Sequence, residues 1–192
     1  MVNATQINGV DGLRIDDLTR AELEGREQAY QVLDFLRKHA PGYEQAYIAA
    51  MPMAVGVRET RRILGMQYLT RDDCVQGRKW PDAVVRDAQF PIDIHNPVGS
   101  GQAEGRGSQG SAAAVKPYDI PYGCLLPKSI DGLLVAGRCI SGSHHAHASY
   151  RVQCIAMAIG AAAGAAAALA VKTGAPIRAV DVARVQEALG IG

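Results

Sequence analysis

The sequence predicts an α/β chain, and three observations carry that reading. Thr19-Arg20-Ala21-Glu22 is a capping box that opens an amphipathic helix. Leu133-Leu134-Val135-Ala136 is an unbroken apolar run between Asp131-Gly132 and Gly137, the pattern of a strand buried on both faces. Ser149 to Lys172 is an Ala-rich helix, stopped by Thr173-Gly174-Ala175-Pro176. At 192 residues the chain can be one domain with its own core or an incomplete piece of two.

Taken in order, residues 1–16 lack a clear period. In the first helix Leu18 and Leu23 are placed as a hydrophobic staple, and Ala29, Val32, Leu33 and Leu36 share one face. Ala40-Pro41-Gly42 ends it, and Glu24, Glu27, Arg37 and Lys38 mark a solvated face. Met53 to Thr70 reads as extended chain, two strands divided near Gly65. A strand over Arg58–Arg62 sets Arg58, Thr60 and Arg62 on one side and Glu59 and Arg61 on the other. Arginines side by side suit a bound carboxylate, and equally suit pairing with surface acids.

Thr70-Arg71-Asp72-Asp73 caps a short helix that Gly77 ends. Trp80 to Gln89 follows no single period. Phe90 to His95 alternates weakly, and His95 suits either a general acid/base or a strand-end cap. Asn96 to Ala114 is Gly/Ser-rich and is expected to be a mobile loop. Tyr118 to Leu126 should return as a strand against residues 89–95. Val180 to Leu189 is a short amphipathic helix capped by Asp181.

The apolar run, the polar loop Arg138–Ala148 and the Ala-rich helix form one unit of strand, loop and helix start. Such a helix start offers unpaired N–H groups and partial positive charge to a phosphate or dinucleotide. The helix would be roughly 36 Å long, and Ala156, Gly160, Gly164 and Ala168, spaced by four, leave one face nearly bare. A neighbouring backbone or flat ligand suits that face. A plain core helix suits it too, and so does a small-xxx-small membrane pattern, which the lack of a second span or Leu-rich flank disfavours.

Composition excludes several classes. The chain has 192 residues and a formal net charge of +1, with no basic cluster among aromatics, which argues against nucleic acid as a partner. Without a leader or a Leu-rich span, a soluble, cytoplasmic protein is expected, with no membrane partner. The four cysteines are widely spaced, as buried thiols in a reducing compartment would be. His144, His145 and His147 match no standard zinc spacing, so no metal is expected.

Several separated motifs then converge. Ile120-Pro121-Tyr122-Gly123-Cys124-Leu125-Leu126-Pro127-Lys128, Ile130 to Ser141, and His147-Ala148-Ser149-Tyr150-Arg151-Val152 resemble the C-terminal portion of the FAD-dependent oxidoreductase family, related to glutathione-reductase and fumarate-reductase type flavoproteins. The resemblance extends back through Arg58–Gly65, Tyr68-Leu69-Thr70 and, weakly, Leu18–Glu22. It implies FAD as cofactor, a Rossmann-like FAD-binding domain over 116–192 and part of a substrate domain over 1–115. Gly137 and Arg138 would approach the ribityl-pyrophosphate region, and Ser149, Tyr150, Arg151 and Val152 the flavin. The implied reaction is hydride transfer between flavin N5 and a small polar, anionic substrate. Arg58 and Arg61 would hold the anion, and His95 or His147 would handle the proton.

The resemblance has one departure. The family opens on a strand, Gly-x-Gly-x-x-Gly and a helix, and nothing of that kind follows Met1. Gly105-Arg106-Gly107-Ser108-Gln109-Gly110 fits the letters of the motif, but no apolar strand precedes it and Pro117 and Pro121 leave no room for the helix. The chain therefore reads as the C-terminal part of a longer flavoenzyme. The other reading is a non-catalytic remnant or subunit. A homo-oligomer, or a chain supplying the nucleotide-binding half, is the expected partner beyond the substrate.

Overall fold

A computed structural model describes residues 4–95, 102–104 and 115–192. The chain divides into two compact units, Met1–Thr60 and Arg61–Gly192, so the boundary expected near residue 115 falls inside the second unit.

The first unit is organised by α1 (Ile15–His39). It begins four residues ahead of Thr19, after a turn in which Asp11 accepts from the Leu13 and Arg14 backbone N–H groups. Asp16 and Asp17 then meet the positive end of the helix, and Arg37, Lys38 and His39 the negative end. Thr19 is thus interior, its hydroxyl donating back to the Ile15 carbonyl at 3.0 Å. The end before Ala40 is as expected. Gln28 exchanges two hydrogen bonds with the Gln6 backbone, and Arg37 donates to the Ala46 carbonyl. Ala21 is the one buried hydrophobic residue of this unit among those described.

The second unit holds the core. α2 (Arg71–Gln76) has the expected capping box, Thr70 with Asp73, and ends on left-handed Gly77. β1 (Ala83–Ala88) and β4 (Tyr118–Pro121) pair antiparallel, while β2 (Ile94–His95) pairs with β3 (Gln102–Glu104). Tyr118 therefore returns against residues 83–88 and not 89–95. The reason is local: Val84 and Val85 sit in a buried run, whereas Pro91 has no N–H to give a ladder. The expected loop 96–114 lies outside the described residues, apart from the β3 backbone, as does the Gly105–Gly110 motif.

Met53–Thr70 forms no named strand; it makes single bridges, Gly65 to Pro127 and Leu69 to Gly142. Gly65 is required at the first crossing, since a Cβ there would lie 2.8 Å from the Gly123 carbonyl oxygen. Leu133–Ala136 is not the expected buried strand. One backbone bond, Val135 to Leu125, holds it, and Leu133 is 44% exposed, because the described residues flank it on one side only.

Two helices replace the single one expected from Ser149. α3 (His144–Tyr150) starts earlier, with Ser143 accepting from the Ala146 N–H at 3.1 Å. The chain turns at Arg151-Val152, and α4 (Gln153–Thr173) follows, ending on left-handed Gly174 as predicted. Ile155, Ile159, Ala162, Ala166 and Ala170 are its buried face. On the other side Met157 is 67% and Val171 86% exposed, and open space surrounds the Cβ positions of Gly160 and Gly164. By length and composition alone α4 could cross a membrane, a property it shares with core helices. α5 (Val182–Leu189), capped by Asp181 as expected, packs on α4, and Gln186 donates to the Pro81 and Ala83 carbonyls at 2.9 Å each.

Candidate active site

The polar loop between residues 137 and 143 is fastened at three levels. Ile63 donates to the Cys139 carbonyl, Ser141 to the Cys124 carbonyl, and Leu69 to the Ser141 carbonyl. The loop opens on Gly137, at φ 80°, the left-handed region that a side chain disfavours. A Cβ at Gly137 would meet nothing within 4 Å, so its backbone can be approached from outside. Arg138 next to it is exposed in a 3₁₀ turn, Gly137–Cys139.

α3 carries the three clustered histidines, and they part company there. His144 is exposed and His145 half-buried, their rings edge to face at 5.7 Å. His147 is 2% exposed and packs edge-on against Tyr150 at 5.4 Å. Burial, and then the charges of Arg62, Arg151, His144 and Arg138, push the His147 imidazole down to about 3. It is neutral near pH 7. No group of three or more His, Cys, Asp or Glu arranged to hold a metal occurs among the described residues.

Of the four residues placed against the flavin by resemblance, two face inward. Ser149 and Tyr150 are both 0% exposed. Ser149 Oγ shares a hydrogen bond with Tyr118 Oη at 2.9 Å and donates to the Phe90 carbonyl at 2.6 Å. Tyr150 Oη donates to the Ile140 carbonyl, and burial pushes its phenol well up. These hydroxyls fasten α3 to the polar loop and to the segment before β2. Arg151 and Val152 lie at the turn into α4. Val152 supplies no side-chain cap to α4, and Gln153 and Cys154 after it are exposed.

A connection that the sequence reading missed joins two candidates. Arg151 Nη2 donates to Asp93 at both the side-chain Oδ2, 2.8 Å, and the backbone carbonyl, 3.0 Å. The other oxygen, Oδ1, faces His95 Nε2 at 3.5 Å. One carboxylate thus lies between the candidate proton carrier and the candidate cofactor arginine. The signal was present: Asp93 and His95 are two apart in extended chain and share a side.

The arginine motif divides differently from expectation. Arg58 is exposed in the first unit and Arg61 exposed in the second. Arg62 turns the other way, half-buried, with Nε donating to the Gly142 carbonyl at 2.8 Å. Arg62, Arg138, Arg151 and His144 are the cationic groups that act on His147, and Arg62 was not among the predicted site residues. Its place opposite Arg61 in an extended strand was the readable clue.

A mixed α/β unit with an open helix start, an unobstructed glycine turn and gathered arginines is that of a protein receiving an anionic cofactor. The FAD dependent oxidoreductase family matches residues 1–189, and the chain belongs to that family: it is an FAD-dependent flavoprotein. No curated protein and no solved structure matches it.

Proposed function

We propose that the chain contributes the cofactor-facing and proton-handling part of an oxidoreductase acting on a small polar anion. When bound, FAD supplies a two-electron acceptor or donor for a hydride exchanged with a substrate carbon. The residues fit that group at Gly137, where open space lies over the backbone, and at the uncapped start of α4. They do not fit it at the Ser149 and Tyr150 side chains, which the core encloses.

The carrying observation is the tie of Arg151, beside the start of α4, to Asp93, whose second carboxylate oxygen faces His95. Guanidinium forks suit a carboxylate or phosphate. His95, half-buried beside the Asp93 carboxylate, is the better proton carrier, because His147 is enclosed and neutral. Arg151, fixed by Asp93 and next to the α4 start, directs its charge where negative charge grows on flavin reduction. Arg58 and Arg61 remain candidates for the outer approach of the substrate, each exposed in its own unit.

The bare side of α4 supports a partner that covers it, either a second copy or a chain bringing the adenine-nucleotide half. Four free thiols support a reducing, cytoplasmic compartment. The test is anaerobic bleaching of flavin in the FAD-loaded protein by small hydroxy and amino carboxylates. Bleaching is expected, weakened in Arg62→Gln through substrate affinity and slowed about 10²- to 10⁴-fold in His95→Gln. Equal rates in His95→Gln and the native chain would remove His95 from the mechanism, and preference for neutral donors would remove the anion.

A further inference from the structure

An open hollow occurs in the Arg61–Gly192 unit, at the outer side of β1. It has a volume of about 470 Å³ and is lined by Lys79, Trp80, Pro81, Arg86, Asp87 and Asp119. None of the groups assigned to hydride or proton transfer lines it.

Its shape comes from a bulge. Between Val85 and Ala88 the register slips against Ile120 and Tyr118, so three steps on β1 oppose two on β4. Alternation breaks there, and Arg86 and Asp87 both face outward. Asp87 has φ 54°, the one non-glycine residue with positive φ among those described. Two anchors hold this costly backbone: the Asp87 N–H donates to Asp119 Oδ1 at 3.0 Å, and its carboxylate pairs with Lys79.

The charges do not cancel evenly. Lys79 lies between two carboxylates, Asp87 and Asp119, the latter at 3.1 Å. Asp119 is buried and is further held by the Trp80 and Asp87 backbone N–H groups. Lys79 is therefore satisfied, whereas Arg86 makes no hydrogen bond or ion pair with any described residue. Beside it stands an apolar wall: Trp80, with the Arg78 guanidinium 3.9 Å from its ring centre, and Pro81. The Trp80 Nε1–H is buried without an acceptor among the described residues. A guanidinium fork without a partner among the described residues, an indole and a proline ring together suit a flat apolar body carrying a carboxylate.

We propose that this hollow binds a small aromatic carboxylate, with Arg86 taking the carboxylate and Trp80 and Pro81 taking the ring. Trp80 is the only tryptophan in the chain, so its emission reports on the site alone. The probe is benzoate, titrated into the full chain with tryptophan fluorescence as the readout. A saturable change is expected, weakened about tenfold or more in Arg86→Gln, the loss of one charge-assisted fork, and unaltered in Arg151→Gln. Benzamide, which keeps the ring and loses the charge, and acetate, which keeps the charge and loses the ring, should each bind at least about tenfold more weakly. Both comparisons run on the native protein, so they hold even if a variant folds poorly. Absence of a saturable change with benzoate, equal affinity in Arg86→Gln, or equal binding of benzamide or acetate would each overturn the site.

Discussion

His147 makes the stability of the second unit depend on pH in a direction that can be worked out. Its folded-state value is lowered to about 3 from an ordinary 6.5. Below about pH 6.5 the unfolded chain takes up a proton at this imidazole and the folded chain does not, so stability falls as pH falls and stops falling only near pH 3. Each pH unit in that window removes up to about 1.4 kcal/mol, and the whole window a few kcal/mol. For a unit of some 130 residues, that slope is about 4–5 °C of melting temperature per pH unit. The perturbation is His147→Phe, which fills the same buried site beside Tyr150 without a titrating nitrogen. Thermal unfolding of both proteins is followed from pH 8 to pH 4. The native curve should descend more steeply below about pH 6.5, and the gap between the proteins should narrow or reverse as acid increases. Parallel curves would refute the buried, neutral imidazole and with it the cationic surroundings inferred from it.

Other consequences are checked more simply. Gln186→Leu removes two hydrogen bonds to the Pro81 and Ala83 carbonyls and should cost about 1–3 kcal/mol by denaturant unfolding; an unchanged midpoint would show that α5 is not clamped to β1. Thr70→Ala loses the capping box of α2 and should cost about 0.5–2 kcal/mol. In acid the same helix should loosen: burial tends to raise Asp73, but the Thr70 hydroxyl and N–H and Arg78 hold it low overall, so its contribution is lost as pH falls through the folded value. Cys74 and Cys124 are buried, and burial pushes both thiols up to about 12, whereas Cys139 and Cys154 are exposed. A disulfide reagent should therefore modify two thiols quickly in the native chain and four only after unfolding; four fast thiols would contradict the burial of Cys74 and Cys124.

The sequence was most readable where a local rule decided the outcome. The capping box at Thr70, the Asp181 cap and the glycine after Thr173 are each set by one side chain or one φ angle, and each was legible. The failures share another cause. Pairing of Tyr118 with Val85's strand depends on which of two neighbouring segments can supply donors, a comparison across some 30 residues that periodicity does not make. Leu133–Ala136 has strand composition, but composition says nothing of whether another backbone lies alongside. In the candidate site, the loop and the helix start after it were legible as neighbours, and His95 and Arg151 were read as candidates there. Asp93 between them was not, because an acid beside a histidine is common and its second partner comes from 58 residues away.

That long-range pair also bears on why the helix is broken where it is. An unbroken helix from Ser143 to Gly174 would satisfy the local preference of this Ala-rich stretch, and the break leaves α4 starting without a side-chain cap. Arg151, at the break, makes two bonds to Asp93, one of them to the backbone, which tie the turn to the segment before β2. Ser149, two residues earlier, is tied to Phe90 in that same segment. Anchored twice within three residues, the chain cannot keep helical direction through Arg151-Val152 and also lay α4 on the β1–β4 ribbon. A helix start without a side-chain cap and a fixed guanidinium are thereby brought together at one point, and it is the ties from Ser149 and Arg151 to Phe90 and Asp93, not the composition of the long helix, that set that point.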